Sequence, residues 1–276
     1  MNSLVIIDKP AGPASNQVTQ WVKEIFNEKS THCGTLDPQV SGVLPVLMGN
    51  KAIKLQPYLM TSDKEYIVLA RSEKPLQETD IQGALREFTG KIYQTPPEIS
   101  AVAKKTRIRQ IYETELIETQ GNYFLFRAVC QHGTYIRKLI EDLSHVLGTK
   151  VTMEELRRTR TGAFTEQQAY TLTKINDLHA LGRDSLVTLT LEQAVQKLPR
   201  IDINTKAAEN IAKGADLYNI GIMAKKGSIQ KGTPVALFHD QQLIAVGDAL
   251  CDETQFSKQK GAVIKTKKVL QEKVNE

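Results

Sequence analysis

Beyond Leu198-Pro199 the character of the chain changes, and that break constrains the fold more than any other feature. Short strand-like pieces follow it: GADLYNIGIM, IQKGTPVALFHD, QLIAVGDAL and GAVIKTKKV, separated by glycines and charged turns. Several short strands at close spacing point to a small β-barrel, which closes a sheet without leaving edges open. Before the break, helix-like and strand-like segments are interspersed. The boundary is expected between about 180 and 200, dividing residues 1–190 from residues 198–276. A chain of 276 residues can bury one large core or two unequal ones, so this division is consistent with length.

Within the first part, MNSLVIIDKP reads as a strand running into a turn, without the layout of a signal peptide. Ser15 is placed to cap a helix continuing to about Asn27, with Val18, Trp21, Val22, Ile25 and Phe26 on one face. Strands are expected at Val43–Met48 and over KEYIVLA at 64–70, and a short helix over 80–90 stopped by Gly90. RQIYETELIET and YFLFRAVCQ meet at Gly121-Asn122 as a hairpin. The most regular helix is GTYIRKLIEDLSHVLG, 133–148, where Ile136, Leu139, Ile140, Leu143 and Leu147 share a face and Gly148 closes it. A second short helix is expected near 152–158, carrying LRRTR.

No apolar run approaches the ~18 residues that a spanning helix needs. The three cysteines, Cys33, Cys130 and Cys251, are isolated and form no CxxC pair, so neither a zinc site nor a disulfide framework is indicated. A reducing cytoplasm is the expected setting. A net charge of +5 weakly favours a polyanionic partner.

HCGTLDPQVSG, 32–42, holds one carboxylate, Asp37, in a turn-rich loop. Asp-Pro makes a good turn on its own. Against that, Gly34 and Gly42 bracket the acid and leave backbone that a ligand can approach closely. Tyr135 and Arg137 open the most regular helix; Arg137 is either solvated or turned inward to pair a carboxylate, and pairing favours an acid's ionised form. Lys104, Lys105, Arg107 and Arg109 form one basic cluster, and Arg157, Arg158 and Arg160 another. Neither contains an acid, so each is a solvated face or a phosphate-contacting one. His32-Cys33 lacks further ligands at metal spacing. Walker, GxGxxG and Ser-His-Asp patterns are missing, which leaves a lone acid as the candidate for chemistry.

Taken together, IDKPAGPAS (7–15), HCGTLDPQVSGVLPVLMG (32–49), KEY (64–66), GTYIRKLIEDL (133–143) and LRRTRTGAF (156–164) resemble, in order, the motifs of pseudouridine synthases of the TruB superfamily. IYQTPPEISAVAKKTRIRQIYE (92–113) and GADLYNIGIMAKKGSIQKGTPVAL…LIAVGDAL (214–250) resemble the archaeal dyskerin-type branch and its PUA domain. The resemblance implies an α+β fold: a catalytic domain with a mixed, largely antiparallel sheet flanked by helices, then a PUA β-barrel. It implies isomerisation of uridine to pseudouridine in RNA, with no metal or organic cofactor. By motif position Asp37 would be the essential acid and Tyr66 would stack on the flipped uracil. Tyr135 and Arg137 would line the pocket, Arg137 pairing Asp37; Leu156 would supply an apolar wall, and His32 would lie near the displaced base. Implied partners are an H/ACA guide RNA with rRNA or tRNA substrate, a small zinc-binding nucleolar-type protein, a glycine/arginine-rich-type accessory protein and a kink-turn-binding protein. A stand-alone tRNA T-loop synthase and a non-catalytic RNA-binding scaffold are the alternatives. Three departures stand out. Cys33 sits where Ser or Thr is common, Glu98 and Ile99 precede SAV where a basic residue is common, and IDKP lies almost at residue 1, where an N-terminal extension is common.

Overall fold

The computed structural model describes residues 1–95 and 105–271. Its first part runs β1 (Ser3–Lys9), α1 (Ser15–Phe26), β2 (Ser30–His32), β3 (Ser41–Met48), α2 (Asn50–Ile53), α3 (Gln56–Met60) and β4 (Lys64–Ser72). There follow α4 (Glu78–Glu87), β5 (Gly90–Gln94), β6 (Arg107–Gln120), β7 (Tyr123–Cys130), α5 (Ile136–Val146), β8 (Val151–Thr161), β9 (Phe164–Thr165), α6 (Leu172–Ala180), β10 (Thr188–Leu189) and α7 (Leu191–Ala194). The strands form one sheet in the order β10-β1-β3-β8-β4-β7-β6-β5, with β2 on β3 and β9 on β8. Among its described pairings only β3 with β8 is parallel, so the sheet is mixed and largely antiparallel, as expected.

Strand period explains how this sheet is covered on both faces. Along β1, Val5 and Ile7 enter one apolar cluster while Leu4 and Ile6 enter another. β3 does the same, with Leu44, Val46 and Met48 on one side and Val43 and Leu47 on the other. Central strands buried on both faces therefore read as continuous apolar runs, VIID and VLPVLM. Helices α1, α4, α5 and α6 supply the first cluster. In α5, Ile136, Leu139, Ile140 and Leu143 are each no more than 3% exposed, and each contributes roughly 1.5–3 kcal/mol by leaving water.

The second part contains β11 (Arg200–Ile203), α8 (Thr205–Ala212), β12 (Leu217–Tyr218), β13 (Ile222–Lys226), β14 (Pro234–His239), β15 (Gln242–Ala249) and β16 (Ala262–Val269). Its strands form a separate sheet, β12-β16-β15-β14-β11-β13. Ala236, Phe238, Leu243, Val246 and Leu270 join Leu4, Ile6 and Leu47 in the second cluster, so this sheet packs on the back of the first.

Three local expectations change. Residues 152–158 form the middle of β8, not a helix. There β8 lies between β3 and β4, and pairing on both sides outweighs the weak helical preference of a charged run. Ser15 is not the cap of α1: Ala14 takes the extended N-cap conformation, and the Ser15 hydroxyl is used elsewhere. Finally, α8 lies inside the region read only as strands. The hairpin at Gly121-Asn122 forms as expected, joining β6 to β7.

Candidate active site

Asp37 sits on the loop between β2 and β3, and the IDKPAGPAS block holds that loop from beneath. Lys9 is fully buried, and its ammonium donates to the carbonyls of Pro10 at 2.7 Å, Pro38 at 3.2 Å and Val40 at 2.8 Å. Gly12 N donates to Pro38 O at 2.8 Å. The buried Ser15 hydroxyl donates to Leu36 O at 2.6 Å and accepts from Leu36 N at 2.8 Å. Residues on both sides of Asp37 are thus fixed by their backbone, while its carboxylate stays half exposed at 48%. Burial lowers the Lys9 pKa, and the Asp37 carboxylate opposes that shift.

Arg137 reaches this acid from the first turn of α5, its Nη2 standing 2.9 Å from Asp37 Oδ2. The turn is anchored by Gln94, which is 2% exposed at the end of β5. Gln94 Oε1 accepts from Tyr135 N at 2.9 Å and its Nε2 donates to Tyr135 O at 3.1 Å. That amide fixes both backbone groups of the extended Tyr135, the N-cap of α5, which has no side-chain cap of its own. The helix consequently starts at Ile136 rather than 133, with Tyr135 and Arg137 at its mouth.

Tyr66 and Leu156 come from adjacent strands. Tyr66 of β4 lies opposite Arg158 of β8, and Val68 opposite Leu156. With a side-chain period of two, Tyr66, Val68, Leu156 and Arg158 share one sheet face. Burial pushes the Tyr66 phenol up; the positive Arg158 guanidinium opposite it pulls the other way, and Asp37 adds a smaller upward push. Leu156 is 8% exposed, an apolar surface beside the phenol. His32 bonds Asn16 Oδ1 through Nε2 at 3.0 Å. Burial, then Arg158, lowers its pKa, so the neutral imidazole is favoured.

The basic clusters divide. Lys104 lies outside the described residues, as do Glu98 and Ile99. Lys105 and Arg107 are exposed. Arg109 turns back to Gly133 O at 3.2 Å, beside the start of α5. LRRTR is not a free basic face, because neighbouring strands supply its acids and acceptors. Arg157 pairs with Asp8 and Glu166, and Arg160 with Asp63 at 2.9 Å. Arg158 is 1% exposed and cannot reach a phosphate from where it sits.

Sequence reasoning missed Lys9 and Gln94 as site-forming residues. Alternation from Val5 and Ile7 places Lys9 on the buried face of β1, a signal present in the sequence. Gln94 carried none. Lys64 was also missed: it is 4% exposed, and its ammonium donates to Met60 O at 2.8 Å and Ser62 O at 2.5 Å. No group of His, Cys, Asp and Glu suited to a metal ion occurs among the described residues. No helix there is long and apolar enough to cross a membrane.

Comparison with known proteins accords with this geometry. Residues 23–73 and 68–136 match the N-terminal domain of TruB family pseudouridylate synthases, residues 137–200 the tRNA pseudouridylate synthase B C-terminal domain, and residues 199–270 the PUA domain. A probable tRNA pseudouridine synthase B of Archaeoglobus fulgidus is 41% identical over 280 residues, covering 98% of this chain and 86% of that protein. Its counterpart in Methanocaldococcus jannaschii is 39% identical, covering 96% and 82%. Among solved structures, a Cbf5-Nop10-Gar1 complex contains a chain that superposes with a TM-score of 0.93 at 35% identity, covering 98% of this chain and 85% of that one. An H/ACA ribonucleoprotein bound to a substrate RNA containing 2'-deoxyuridine gives 0.89 at 35% identity, covering 99% and 86%. With a catalytic-domain match on either side of Arg137 and a PUA match behind it, this chain belongs to the TruB family of pseudouridylate synthases.

Proposed function

We propose that this chain isomerises uridine to pseudouridine in rRNA at Asp37, with an H/ACA RNA selecting the target. The observation that carries the chemistry is the Asp37–Arg137 pair at 2.9 Å, held on a loop whose backbone is bonded on both sides of the acid. A target within folded RNA must first be extruded, at an unstacking cost of a few kcal/mol. The ionised Asp37 carboxylate then acts at the sugar, as nucleophile at C1′ or as base at C2′. The C1′–N1 bond breaks with its electron pair leaving on the uracil ring. The ring turns and C5 bonds to C1′, displacing the Asp37 carboxylate on the first route or with C2′ regaining its proton from Asp37 on the second; the C5 proton is then lost and N1 gains one. Tyr66 stacks on the detached ring, Leu156 and Tyr135 wall the pocket against water, and His32 stands near the displaced base in neutral form. Exposed Lys105 and Arg107, with Arg109, contact RNA phosphates.

Guide dependence is supported by the Cbf5-Nop10-Gar1 and H/ACA likenesses at 35% identity. On that reading the partners are a Nop10-type zinc-binding protein, a Gar1-type accessory protein and a kink-turn-binding protein, in the cytoplasm. The relatives' names favour a second reading, a tRNA pseudouridine synthase acting without a guide. Tritium release from C5-labelled uridine separates the two, using tRNA and rRNA fragments with and without co-purified small RNA. Guide-dependent release from rRNA is expected, and none from Asp37→Ala. Full-rate release from tRNA by the bare protein would overturn guide dependence. Equal release by Asp37→Ala would overturn the assignment of the acid.

A further inference from the structure

Arg158 is buried to 1% exposure, yet it pairs with no carboxylate among the described residues. A guanidinium taken out of water without an acid partner must be held by well-placed acceptors. Its acceptors are informative. Arg158 Nε donates to Val43 O at 2.8 Å and Nη2 to Gly34 O at 3.0 Å. Gly34 lies in the loop that presents Asp37 and Val43 in the strand that follows it, so the two carbonyls flank the acid. Across β4 and β8 Arg158 also stands directly opposite Tyr66, on the same sheet face. Backbone geometry reinforces the contact, because Gly42 lies in register with Arg158 across β3 and β8. A Cβ on Gly42 would lie 2.2 Å from Arg158 O, so only glycine lets the strands approach this closely.

We propose that Arg158 is a positioning residue for the isomerisation: from the strand position opposite Tyr66 one planar guanidinium holds the two carbonyls that flank the Asp37 loop, so that the acid and the aromatic platform form one rigid unit. The inference rests on the roles proposed above for Asp37 and Tyr66. It replaces the reading of Arg158 as a phosphate contact. Asp37 must meet the sugar while the ring rests on Tyr66, and C5 must come round to the same C1′. Relative placement of acid and platform therefore decides the rate. Misplacement by about 1 Å can cost about 100-fold. A lysine does not replace this clamp, since a point ammonium lacks the planar fork that reaches both carbonyls at once beside the phenol.

The test combines Tyr66→Phe, Arg158→Met, the double variant and Arg158→Lys in single-turnover tritium release from C5-labelled RNA. Tyr66→Phe keeps the ring and loses only the hydroxyl; its rate should fall about 10-fold, and that of Arg158→Met about 100-fold. If Arg158 acts partly through the phenol, the double variant is no slower than Arg158→Met within about threefold. RNA affinity should stay within threefold throughout, which a lost phosphate contact would not allow. Arg158→Lys should not rescue. Multiplicative losses in the double variant, or a wild-type rate in Tyr66→Phe, would overturn the proposal even if Arg158→Met failed to fold. A readout independent of activity is NMR of tyrosine labelled at Cζ, with the Tyr66 resonance assigned by its loss in Tyr66→Phe. That resonance should move in Arg158→Lys while the other tyrosines stay. An unmoved resonance overturns the clamp whatever the RNA assay shows, whereas a wild-type chain that releases no tritium counts against the function alone.

Discussion

Replacing Lys9 with Met removes the tether under Asp37 while keeping much of the side chain's volume, and its consequences can be worked from the contacts. Three carbonyls accept from the ammonium, but Pro38 O also accepts from Gly12 N at 2.8 Å and keeps a partner. Pro10 O and Val40 O each lose a bond to a charged donor, worth about 1.5–3 kcal/mol. Against this, the variant no longer buries a charge, a relief whose direction is seen in the lowered Lys9 pKa. The balance is a stability loss of about 2–3 kcal/mol. The rate should suffer more than the fold. The two Ser15 bonds to Leu36, the Gly12 bond to Pro38, the Val40 bond to Asp37 O and the Arg158 bonds remain, but the ammonium beneath the loop is gone, and a carboxylate adrift by about 1 Å loses about 100-fold. Urea unfolding gives the first quantity and single-turnover tritium release the second, with RNA affinity expected to remain within threefold. A variant destabilised as predicted but with a wild-type rate would refute the reasoning, since the tether would then serve folding only. Unchanged stability would refute it from the other side.

Three further changes probe the same frame. Gly42→Ala places a Cβ 2.2 Å from Arg158 O at a φ of 105°, and should cost about 3 kcal/mol or prevent folding; an unfolding free energy in urea within about 1 kcal/mol of wild type would show that the strands can part. Gln94→Ala deletes both bonds to the Tyr135 backbone and should cost about 2 kcal/mol and roughly tenfold in rate; a wild-type rate would mean that α5 holds Arg137 unaided. Burial pushes Lys64 down to about 8, so above that pH the folded chain releases this proton while the unfolded one retains it, and stability rises with pH. Cys33 and Cys130, pushed up to about 12, act oppositely from their ordinary value of 9.0 upward, leaving pH 8 to 9 as the clean window. Over that unit wild type should gain about 1 kcal/mol relative to Lys64→Met in urea unfolding, and an equal slope in both would remove the assignment.

What could be read from the sequence followed from periodicity. α5 was legible because Ile136, Leu139, Ile140 and Leu143 are all buried on one face, and the hairpin because Gly121-Asn122 separates two strand-like runs. The site residues were legible as motif positions, and the structure brings Arg137 to Asp37 and sets Tyr66 opposite Arg158. β8 was not legible. Its charged residues resemble a solvated helix until β3 and β4 are known to lie beside it, and only then do Leu156 and Arg158 emerge on a common face. Ser15 shows the same limit. A serine before a helix has a local use as a cap, and nothing nearby in the chain announces that its hydroxyl serves Leu36 instead.

Arg158 exposes the deeper reason. Charge in a sequence is read as exposure, because an isolated buried ion is expensive. Here Lys9, Lys64 and Arg158 are all buried, and none pairs with a carboxylate among the described residues. Each is held by backbone carbonyls, which accept hydrogen bonds without cancelling charge. An acid partner for any of them would compete with Asp37 for Arg137 and would set negative charge where the departing ring develops its own. Carbonyl ligation avoids both effects. It builds the loop from cations, fixes its geometry, and leaves Asp37 as the carboxylate that Arg137 holds at the mouth of α5. The arrangement that hides these residues from a reading of sequence is therefore the one that suits a site handling anions.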